Sequence, residues 1–242
     1  MKKPNNNAQT ADMSSKAVLK IDWATYEAAK YACENWHYSK CVPQGALIKI
    51  GAWENGKFIG VIIFGRGATN ELGSPYGLKN TQVCELVRIS LTKHQTTVSR
   101  IMAIAIKMLK KKDPGLRLIV SFADSNEGHH GGIYQATNWI YSGRSPDCKF
   151  PVINGKTVHP RVLSHMISDG RIKDRKQVPT VMKRGKHRYL MPLDDEMRKK
   201  VQCLAKPYPK RASSKEIVAP CDQQGESGVN PTDALQIPPE KQ

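Results

Sequence analysis

The chain has 242 residues, of which 39% are hydrophobic, and a formal net charge of +17 at pH 7. This length fits one medium-sized domain with appendages, and no run reaches the roughly 20 apolar residues that a membrane-spanning helix needs. The N-terminus, MKKPNNNAQTADMSS, lacks the apolar segment of a secretory signal, and no cysteine lies in a C-x-x-C pair. The composition therefore predicts a cytosolic protein with reduced thiols and no membrane anchor.

The positive charge is concentrated in one part of the chain. Residues 151–215 carry 17 Lys+Arg against 5 Asp+Glu, whereas residues 216–242 carry 1 against 5. A basic block of this kind predicts a polyanionic partner, because each phosphate that is neutralised releases counterions. Nucleic acid is favoured over a membrane surface, since no basic amphipathic helix with aromatic anchors is present. The alternative is a basic surface that is simply solvated.

The first half of the chain alternates strands and helices. A disordered leader, residues 1–16, precedes a short strand and a helix in AVLKIDWATYEAAKYACENWHYS. A hairpin follows in ALIKIGAWENGKFIGVIIFG, where Asn55-Gly56 suits a type I′ turn. The glycine-rich GRGATNELGSPYGLKN predicts a loop, CELVRISL a strand, and TTVSRIMAIAIKMLKKK an amphipathic helix that ends in lysines.

The second half continues the same alternation and then becomes basic. A strand (117–123), a short helix (132–138) and another strand (139–142) are predicted in turn. Beyond them lie a VINGKTV hairpin, a helix near 163–168, an HRYLMPL strand and a DDEMRKKVQCL helix. We expect a catalytic core over residues 17–150, a basic extension packed on it over 151–211, and a disordered tail over 212–242.

The stretch SFADSNEGHHGGIYQATNWIYSGRS, residues 121–145, has three interpretations: a metal site, a phosphate-binding turn, or a transferase cleft between two strands. Asp124 and His37 together with His129 and His130 have the residue types of a two-histidine carboxylate site for iron. Adjacent histidines rarely bind one ion together, so a metal is not predicted, and iron stays an alternative. The glycines of GHHGG favour a tight turn that binds an anion or a group donor.

The order of the elements resembles the Gcn5-related N-acetyltransferase fold. The resemblance implies an α/β fold with a mixed central sheet, in which CELVRISL and RLIVSFAD splay apart around the reacting groups, plus the basic C-terminal extension. The family's pyrophosphate loop, Q/R-x-x-G-x-G/A, should lie before the helix, but the corresponding LTKHQTTVSR has no glycine. A phosphate can still bind there through the free N–H groups of the helix start.

Several segments in the same order resemble the Mom DNA-modification family of Mu-like bacteriophages over roughly residues 20–211: NWHYSKCVPQG, ELVRISL, SFADSNEGHHGGIYQATNWIYSGRS, NGKTVHPR, KHRYLMPL and KPYPKR. The resemblance implies conversion of adenine N6 in double-stranded DNA to an N6-carbamoylmethyl (acetamido) group. This modification protects phage DNA from restriction in the cytoplasm of the bacterial host. Two alternatives are a non-catalytic DNA-binding accessory protein and an acyltransferase that acts on a protein or a small molecule.

The resemblance and the residue chemistry together predict the site. Asp124, at the end of a central strand, binds or deprotonates the adenine amine, and Tyr134 is a general acid. Alternatives are a turn aspartate and a core aromatic. The predicted catalytic residues are Asp124, Tyr134, His37, Tyr38, Ser121 and Arg88. The predicted donor-binding residues are Gly128, His129, Gly131, Gly132, Ser99 and Arg100. The predicted DNA-binding residues are Arg161, Arg171, Lys173, Arg175, Lys176, Lys183, Arg184, Lys186 and Arg188.

Three of these residues have specific expectations of their own. His37 moves protons near neutral pH or is a satisfied surface histidine. Tyr38 donates to a leaving group or stacks on a base. Arg88 lies between apolar neighbours, so it needs an anionic partner if it is buried, which could be Glu85 or Asp124 in a purely structural role.

The expected chemistry requires base flipping and an activated donor. Adenine N6 is a poor nucleophile inside a duplex, so the base must be extruded and held near a base catalyst. The carbamoylmethyl product is not that of direct acyl transfer, which favours glycyl transfer followed by rearrangement. We therefore expect an activated acyl donor, either glycyl-tRNA, with tRNA as carrier, or an acyl-CoA. The oligomeric state is not predicted.

Overall fold

The computed structural model describes residues 17–45, 47–67 and 69–210, which belong to one compact unit. Its strands are β1 (Leu19–Trp23), β2 (Leu47–Glu54), β3 (Lys57–Gly65), β4 (Val83–Leu91), β5 (Leu118–Ala123), β6 (Ile140–Arg144), β7 (Cys148–Ile153), β8 (Lys156–Thr157), β9 (Thr180–Lys183) and β10 (His187–Pro192). Its α-helices are α1 (Tyr26–Trp36), α2 (Val98–Lys112), α3 (Gly132–Gln135), α4 (Pro160–Ser168) and α5 (Asp195–Gln202). The predicted leader and tail lie outside the described residues. Within the described ranges, no helix is long and apolar enough to span a bilayer.

A seven-stranded sheet in the order β1-β2-β3-β4-β5-β10-β6 forms the centre of the fold. Its neighbouring strands are antiparallel, except for the parallel pair β4 and β5. The β2–β3 hairpin turns at Asn55 and Gly56, whose φ angles of 51° and 77° are the left-handed values that a type I′ turn requires. The predicted α/β fold with a mixed sheet is confirmed.

Strands β4 and β5 separate partway along their length. They pair only from Val83 to Leu86, opposite Leu118 to Ser121, and both strands continue beyond this point without pairing to each other. On the other edge of β4, Ile63 pairs with Arg88 and Phe64 with Leu86, so Val87 is the extra residue of a β-bulge. A bulge increases the local twist of a strand and bends it. The predicted splay of these two strands is confirmed, and it has a local cause at Val87.

Helices cover both faces of the sheet. On one face the buried side of α2 packs against the sheet residues Phe64, Leu86 and Ile119. On the other face α1 packs against Val61 and Ile63, and α5 packs against a group that includes Leu118, Val120 and Leu190. The core is therefore continuous through the splayed pair, so the separation of β4 from β5 is held open from both sides.

The chain beyond residue 150 contributes to the central sheet. Strand β10 lies between β5 and β6 and pairs with β5 along its whole length, from His187 opposite Ala123 to Pro192 opposite Leu118. The sheet thus continues across the predicted boundary between core and extension. The sequence indicated a strand at HRYLMPL, but pairing partners so distant in sequence leave no local signal.

A second sheet contains the rest of the basic region. Strands β7, β8 and β9 form a three-stranded sheet in the order β8-β7-β9, and α4 packs against β7. The β7–β8 turn has Asn154 and Gly155 at φ angles of 49° and 71°, as the sequence predicted for the VINGKTV hairpin. We call this element the small sheet.

The segment that enters α2 is fixed by an internal carboxylate. Glu54, the last residue of β2, is 8% exposed and accepts hydrogen bonds from the Gln95 N–H at 2.8 Å, the Thr96 N–H at 2.8 Å and the Thr96 hydroxyl at 2.7 Å. The bond from Gln95 is the largest of the effects that hold the pKa of this carboxyl below its usual range. A carboxylate near a helix N-terminus also interacts favourably with the helix dipole. Glu54 therefore fixes the loop between β4 and α2.

The position of β10 predicts the effect of truncating a buried side chain. Leu190 is fully buried, so Leu190→Ala should lower the free energy of unfolding by about 2–5 kcal/mol through lost burial and the cavity it leaves. The matched control Leu204→Ala removes a 39% exposed leucine and should change it by less than about 0.5 kcal/mol. Denaturant unfolding measures both variants. An unchanged midpoint for Leu190→Ala would mean that β10 is not part of the cooperative core.

The Glu54 hydrogen bonds predict a pH-dependent contribution to stability. Because the pKa of Glu54 is lowered in the folded protein, its ionised form stabilises the fold above the ordinary glutamate pKa of 4.5, and this stabilisation is lost as the pH falls through the lower folded value. Glu54→Gln should therefore lower the Tm at neutral pH, with a difference that shrinks towards strong acid. Thermal unfolding over a pH series measures this, with Glu34→Gln as the control. A pH-independent difference would contradict the prediction.

Candidate active site

A cavity of about 400 Å³ lies where β4 and β5 separate. Five of the six predicted catalytic residues line it: His37, Tyr38, Arg88, Asp124 and Tyr134. The predicted donor-binding residues Gly128, His129, Gly131 and Gly132 line the same cavity. Because these residues come from four separate segments of the chain, the splay of the sheet is what brings them together. We call this cavity the cleft.

Ser121 and Tyr134 lie at the closed end of the cleft. Ser121 is buried opposite Leu86 in the last paired position of the two strands, and its Oγ lies 2.8 Å from both the Leu86 carbonyl oxygen and Tyr134 Oη. A serine hydroxyl has one hydrogen, so when it donates to the carbonyl it accepts from the phenol. Burial raises the pKa of Tyr134 to about 12. The phenol therefore keeps its proton at neutral pH, as a general acid must.

An aromatic group forms one wall of the cleft mouth. The Tyr38 ring centroid lies 4.2 Å from that of His37 and 5.4 Å from that of His129, the latter edge-on. Tyr38 is 49% exposed, so one face of its ring is open to solvent. A flat aromatic surface with an open face is suited to stacking on a nucleobase.

His37 is held in its neutral form. Burial, reinforced by repulsion from Arg88 and His129, lowers the pKa of His37 to about 4. Its Nδ1 accepts a hydrogen bond from the Ser39 N–H at 3.1 Å, which requires the ring proton to be on Nε2. The expectation that His37 moves protons near neutral pH therefore does not fit its surroundings. Its imidazole is instead suited to donating a hydrogen bond from Nε2.

Arg88 connects β4 to the segment that follows α1. Its guanidinium donates to the Cys41 carbonyl, and its buried Nε has no hydrogen-bond partner among the described residues. An unpaired buried N–H is costly unless something binds it. Arg88 lines the cleft, so its guanidinium adds positive charge to the wall, whereas Nε itself is buried away from a ligand. The sequence predicted an anionic partner for Arg88 if it is buried, whereas its guanidinium donates to the Cys41 carbonyl oxygen.

Asp124 ends β5 at the rim of the cleft. One carboxylate oxygen accepts from the Asn126 backbone N–H at 3.0 Å and from its side-chain amide at 2.9 Å, and the other lies 3.1 Å from Lys186 Nζ. Burial raises the pKa of Asp124, but the Asn126 hydrogen bonds and the Lys186 charge outweigh it and leave the pKa below its usual range. Asp124 therefore accepts hydrogen bonds within a turn, as one of the two interpretations of the sequence expected, and it is also an ionised group in the cleft.

The glycine-rich loop has a packing role that the sequence did not indicate. Gly131 has a φ of 82°, and a Cβ there would lie 2.3 Å from the Tyr189 ring. Tyr189 in turn donates to the His130 carbonyl at 2.5 Å. Gly131 therefore lets the loop pack on Tyr189, and the predicted role of this turn in binding an anion or a donor stays a prediction. Gly128, with a φ of 70°, has open space beside it.

No metal site is evident in the part of the chain that the structure describes. Within those residues, no group of three or more His, Cys, Asp or Glu side chains is arranged to hold a metal ion. The pair His129 and His130 does not complete such a group with Asp124 and His37. The iron alternative has no geometric support from these residues.

Ser99 and Arg100 lie outside the cleft, in the first turn of α2. The N–H groups of Gln95 and Thr96, just before this helix, are already bound to the Glu54 carboxylate. The expectation that a donor phosphate binds free N–H groups at this helix start is therefore weakened, because a carboxylate occupies part of that position. No local pattern predicts this contact, because it joins residues about 40 positions apart.

The predicted DNA-binding residues differ in exposure. Seven of the nine are exposed: Arg161, Arg171, Lys173, Arg175, Lys176, Arg184 and Lys186. The other two are partly buried, with Lys183 stacked 5.2 Å from the Phe150 ring centroid and Arg188 donating to Ser142 Oγ at 3.0 Å. Arg188 therefore supports the central sheet and is poorly placed to contact DNA. Lys186 was expected to bind phosphate, and in this structure it pairs with Asp124.

The chain is similar to a protein family and to several known proteins. The Mom protein family matches residues 18–210. Methylcarbamoylase mom of Escherichia phage Mu is 24% identical over 203 residues, which covers 79% of this chain and 84% of that protein. Among solved structures, an N-acyl amino acid synthase from uncultured soil microbes has a TM-score of 0.43, with 10% identity over 78% of this chain and 96% of that one. A ribosomal-protein-S5-alanine acetyltransferase from Vibrio fischeri has a TM-score of 0.41, with 10% identity over 75% and 98%. Because the family match extends over nearly the whole described chain, this protein belongs to the Mom protein family.

Proposed function

We propose that this protein is a DNA-modification enzyme that converts adenine N6 in double-stranded DNA to N6-carbamoylmethyladenine and thereby protects phage DNA from host restriction. The observation that carries the proposal is the cleft of a Mom family member, lined by an ionised carboxylate, a protonated phenol and an exposed aromatic ring. The relative from phage Mu is named a methylcarbamoylase. Its name supports the same chemistry here.

The contents of the cleft suit a purine extruded from a duplex. A cavity of about 400 Å³ is in the size range of small-molecule pockets. The half-exposed ring of Tyr38 provides a stacking surface, and the Nε2–H of the neutral His37 imidazole is a donor for a ring nitrogen. Asp124 is an acceptor for the exocyclic amine. Each edge of a flipped adenine thus has a chemically matched group.

The roles of Asp124 and Lys186 are linked. With Lys186 paired to it, Asp124 is a weak base, because the positive charge stabilises the ionised carboxylate. When a DNA phosphate attracts the exposed Lys186 ammonium, Asp124 loses this pairing and becomes a better acceptor for the N6 proton. DNA binding would therefore activate the base catalyst directly, by removing Lys186 from Asp124.

The donor is an activated acyl group, carried either by a tRNA or by coenzyme A. Glycyl transfer to N6 gives N6–CO–CH2–NH2. The free amine then attacks C6 to form a five-membered spiro ring, and the ring opens by expelling the original nitrogen as the amide. The product N6–CH2–CO–NH2 has the same atoms as the intermediate, so no redox step is needed. Tyr134 is the protonated group positioned to donate to the departing atom in the transfer step.

The role of Asp124 as base catalyst predicts loss of modification without loss of fold. Asp124→Asn keeps the size of the side chain and its turn contact but removes the charge, so expression in a bacterium should leave deoxyadenosine unmodified, a loss of at least about 100-fold. Digestion of the DNA to nucleosides and mass spectrometry measure the product. Asp22→Asn, which alters an exposed carboxylate on β1, is the control. If Asp124→Asn still protects DNA without modifying it, the accessory-protein alternative is favoured. If the wild type leaves DNA unmodified but acylates a protein or a small molecule, the alternative of a protein or small-molecule acyltransferase is favoured.

The glycyl route predicts where isotopic label appears. Cells that express the protein and grow on ¹⁵N-glycine should contain modified adenine with the label on the nitrogen attached to C6, because the rearrangement exchanges the two nitrogens. Fragmentation of the nucleoside in the mass spectrometer separates this nitrogen from the terminal amide. Label in the terminal amide would contradict the rearrangement, and absence of label would exclude glycine as the source. Cells without the protein are the control.

A further inference from the structure

An exposed methionine lies among positive charges beside the cleft, and we propose that Met182 is the wedge that enters the DNA base stack when an adenine is extruded. This inference rests on the proposed function, since it assigns a contact to an enzyme that acts on a flipped base. Met182 is 58% exposed, the highest value among the large hydrophobic side chains described from residue 19 to residue 210. It lies on β9, an edge strand of the small sheet.

The surroundings of Met182 match a DNA duplex. Lys149 lies directly opposite it across the β7–β9 pair and therefore on the same face of the small sheet. The exposed Arg184 follows two residues later, whereas Lys183 points to the opposite face and stacks on Phe150. Proteins that kink or open DNA insert an apolar side chain between bases while neighbouring cations bind the phosphates. Met182 with its flanking charges has this combination.

Hydrogen bonds fix the end of β9 to the rim of the cleft. The Arg184 N–H donates to Asn126 Oδ1, and Asn126 Nδ2 donates to the Arg184 carbonyl, both at 3.0 Å. Ser125 Oγ donates to the Gly185 carbonyl at 2.8 Å. Asn126 also donates to Asp124, so the segment that carries Met182 and the candidate base catalyst share one connector. The methionine therefore has a set position relative to the cleft.

The distance between wedge and cleft suits a single duplex. Met182 precedes Lys186 by four residues, and Lys186 Nζ lies 3.1 Å from Asp124. Four extended residues span at most about 14 Å. The Met182 Cα therefore lies no more than about 14 Å from the Cα of Lys186, whose side chain reaches Asp124 at the rim of the cleft. A duplex that places one nucleotide in the cleft therefore passes within reach of Met182.

The energetics explain why a wedge is needed. Extruding a base costs a few kcal/mol of lost stacking, and cations on the phosphates do not recover it. An apolar side chain in the vacated space restores contacts with the neighbouring bases, and methionine adapts to an irregular gap because it is unbranched and polarisable. Lysines on an edge strand also prevent edge-to-edge pairing of sheets, but that function does not call for an exposed methionine.

A fluorescent base tests the wedge without any donor. The test uses a set of duplexes in which 2-aminopurine replaces one adenine, with every combination of flanking bases. The fluorescence of 2-aminopurine rises when the base leaves the stack. The wild type should raise the fluorescence in at least one context. The affinity of Met182→Ala for the same duplex, measured by fluorescence anisotropy, should stay within about twofold of the wild type. Its increase in 2-aminopurine fluorescence should be at least about fivefold smaller, because only base extrusion is affected. Met182→Leu should keep the rise.

Two controls separate the outcomes. Val181→Ala alters the neighbouring, 41% exposed residue on the opposite face of β9 and should behave as the wild type. A duplex with 2-aminopurine opposite an abasic site needs less unstacking, so Met182→Ala should regain the rise there. If Met182→Ala keeps the full increase in fluorescence on normal duplexes, the role of Met182 as a wedge is contradicted, but base extrusion is not. A wild type that binds duplexes without a rise in any context overturns base extrusion itself, and the wedge with it.

Discussion

The site depends on one interrupted strand pair. Strands β4 and β5 are hydrogen-bonded as far as Leu86 and Ser121, and the bulge at Val87 then bends β4 away. Pairing beyond this point would fill the cleft with backbone. The separation leaves the Leu86 carbonyl without a ladder partner, and Ser121 Oγ satisfies it from the opposite strand. The same hydroxyl contacts Tyr134, so the feature that ends the pairing also positions a candidate general acid.

The pKa values of three cleft residues differ from those of the free side chains, which fixes their protonation states over a wide pH range. His37 is neutral and Tyr134 is protonated, because both are removed from water, whereas Asp124 stays ionised because Asn126 and Lys186 stabilise its charge. At neutral pH the cleft therefore contains hydrogen-bond donors on one side and a single carboxylate on the other. Such a pattern matches adenine, which presents ring nitrogens as acceptors and its exocyclic amine as a donor.

Much of the fold was predictable from local patterns, and the contacts between distant segments were not. The Asn-Gly pairs at residues 55 and 154 fixed two hairpin turns, because few other dipeptides adopt left-handed angles at both positions. The splayed strands followed from the family resemblance. The insertion of β10 beside β5, the Glu54 contact with the α2 loop and the Lys186 pair with Asp124 join segments about 40 or more residues apart. None of these leaves a periodic or turn signal in the sequence. The pKa of His37 also depends on the fold, since burial and the neighbouring Arg88 lower it.

The insertion of β10 has a consequence for how DNA binding and chemistry are combined. The small sheet carries the exposed Met182, and its last strand in chain order, β9, leads directly into β10 through residues 184–186. This connection is hydrogen-bonded to Ser125 and Asn126 on one side and to Ser145 and Asp147 on the other. A Cβ at Gly185 would lie 1.7 Å from the Ser145 carbonyl oxygen, so there is no space for a side chain in the connection. A force on the small sheet is therefore transmitted to the rim that holds Asp124 rather than absorbed by a flexible linker. Within the described residues, the basic region is thus continuous with the central sheet rather than a separate unit.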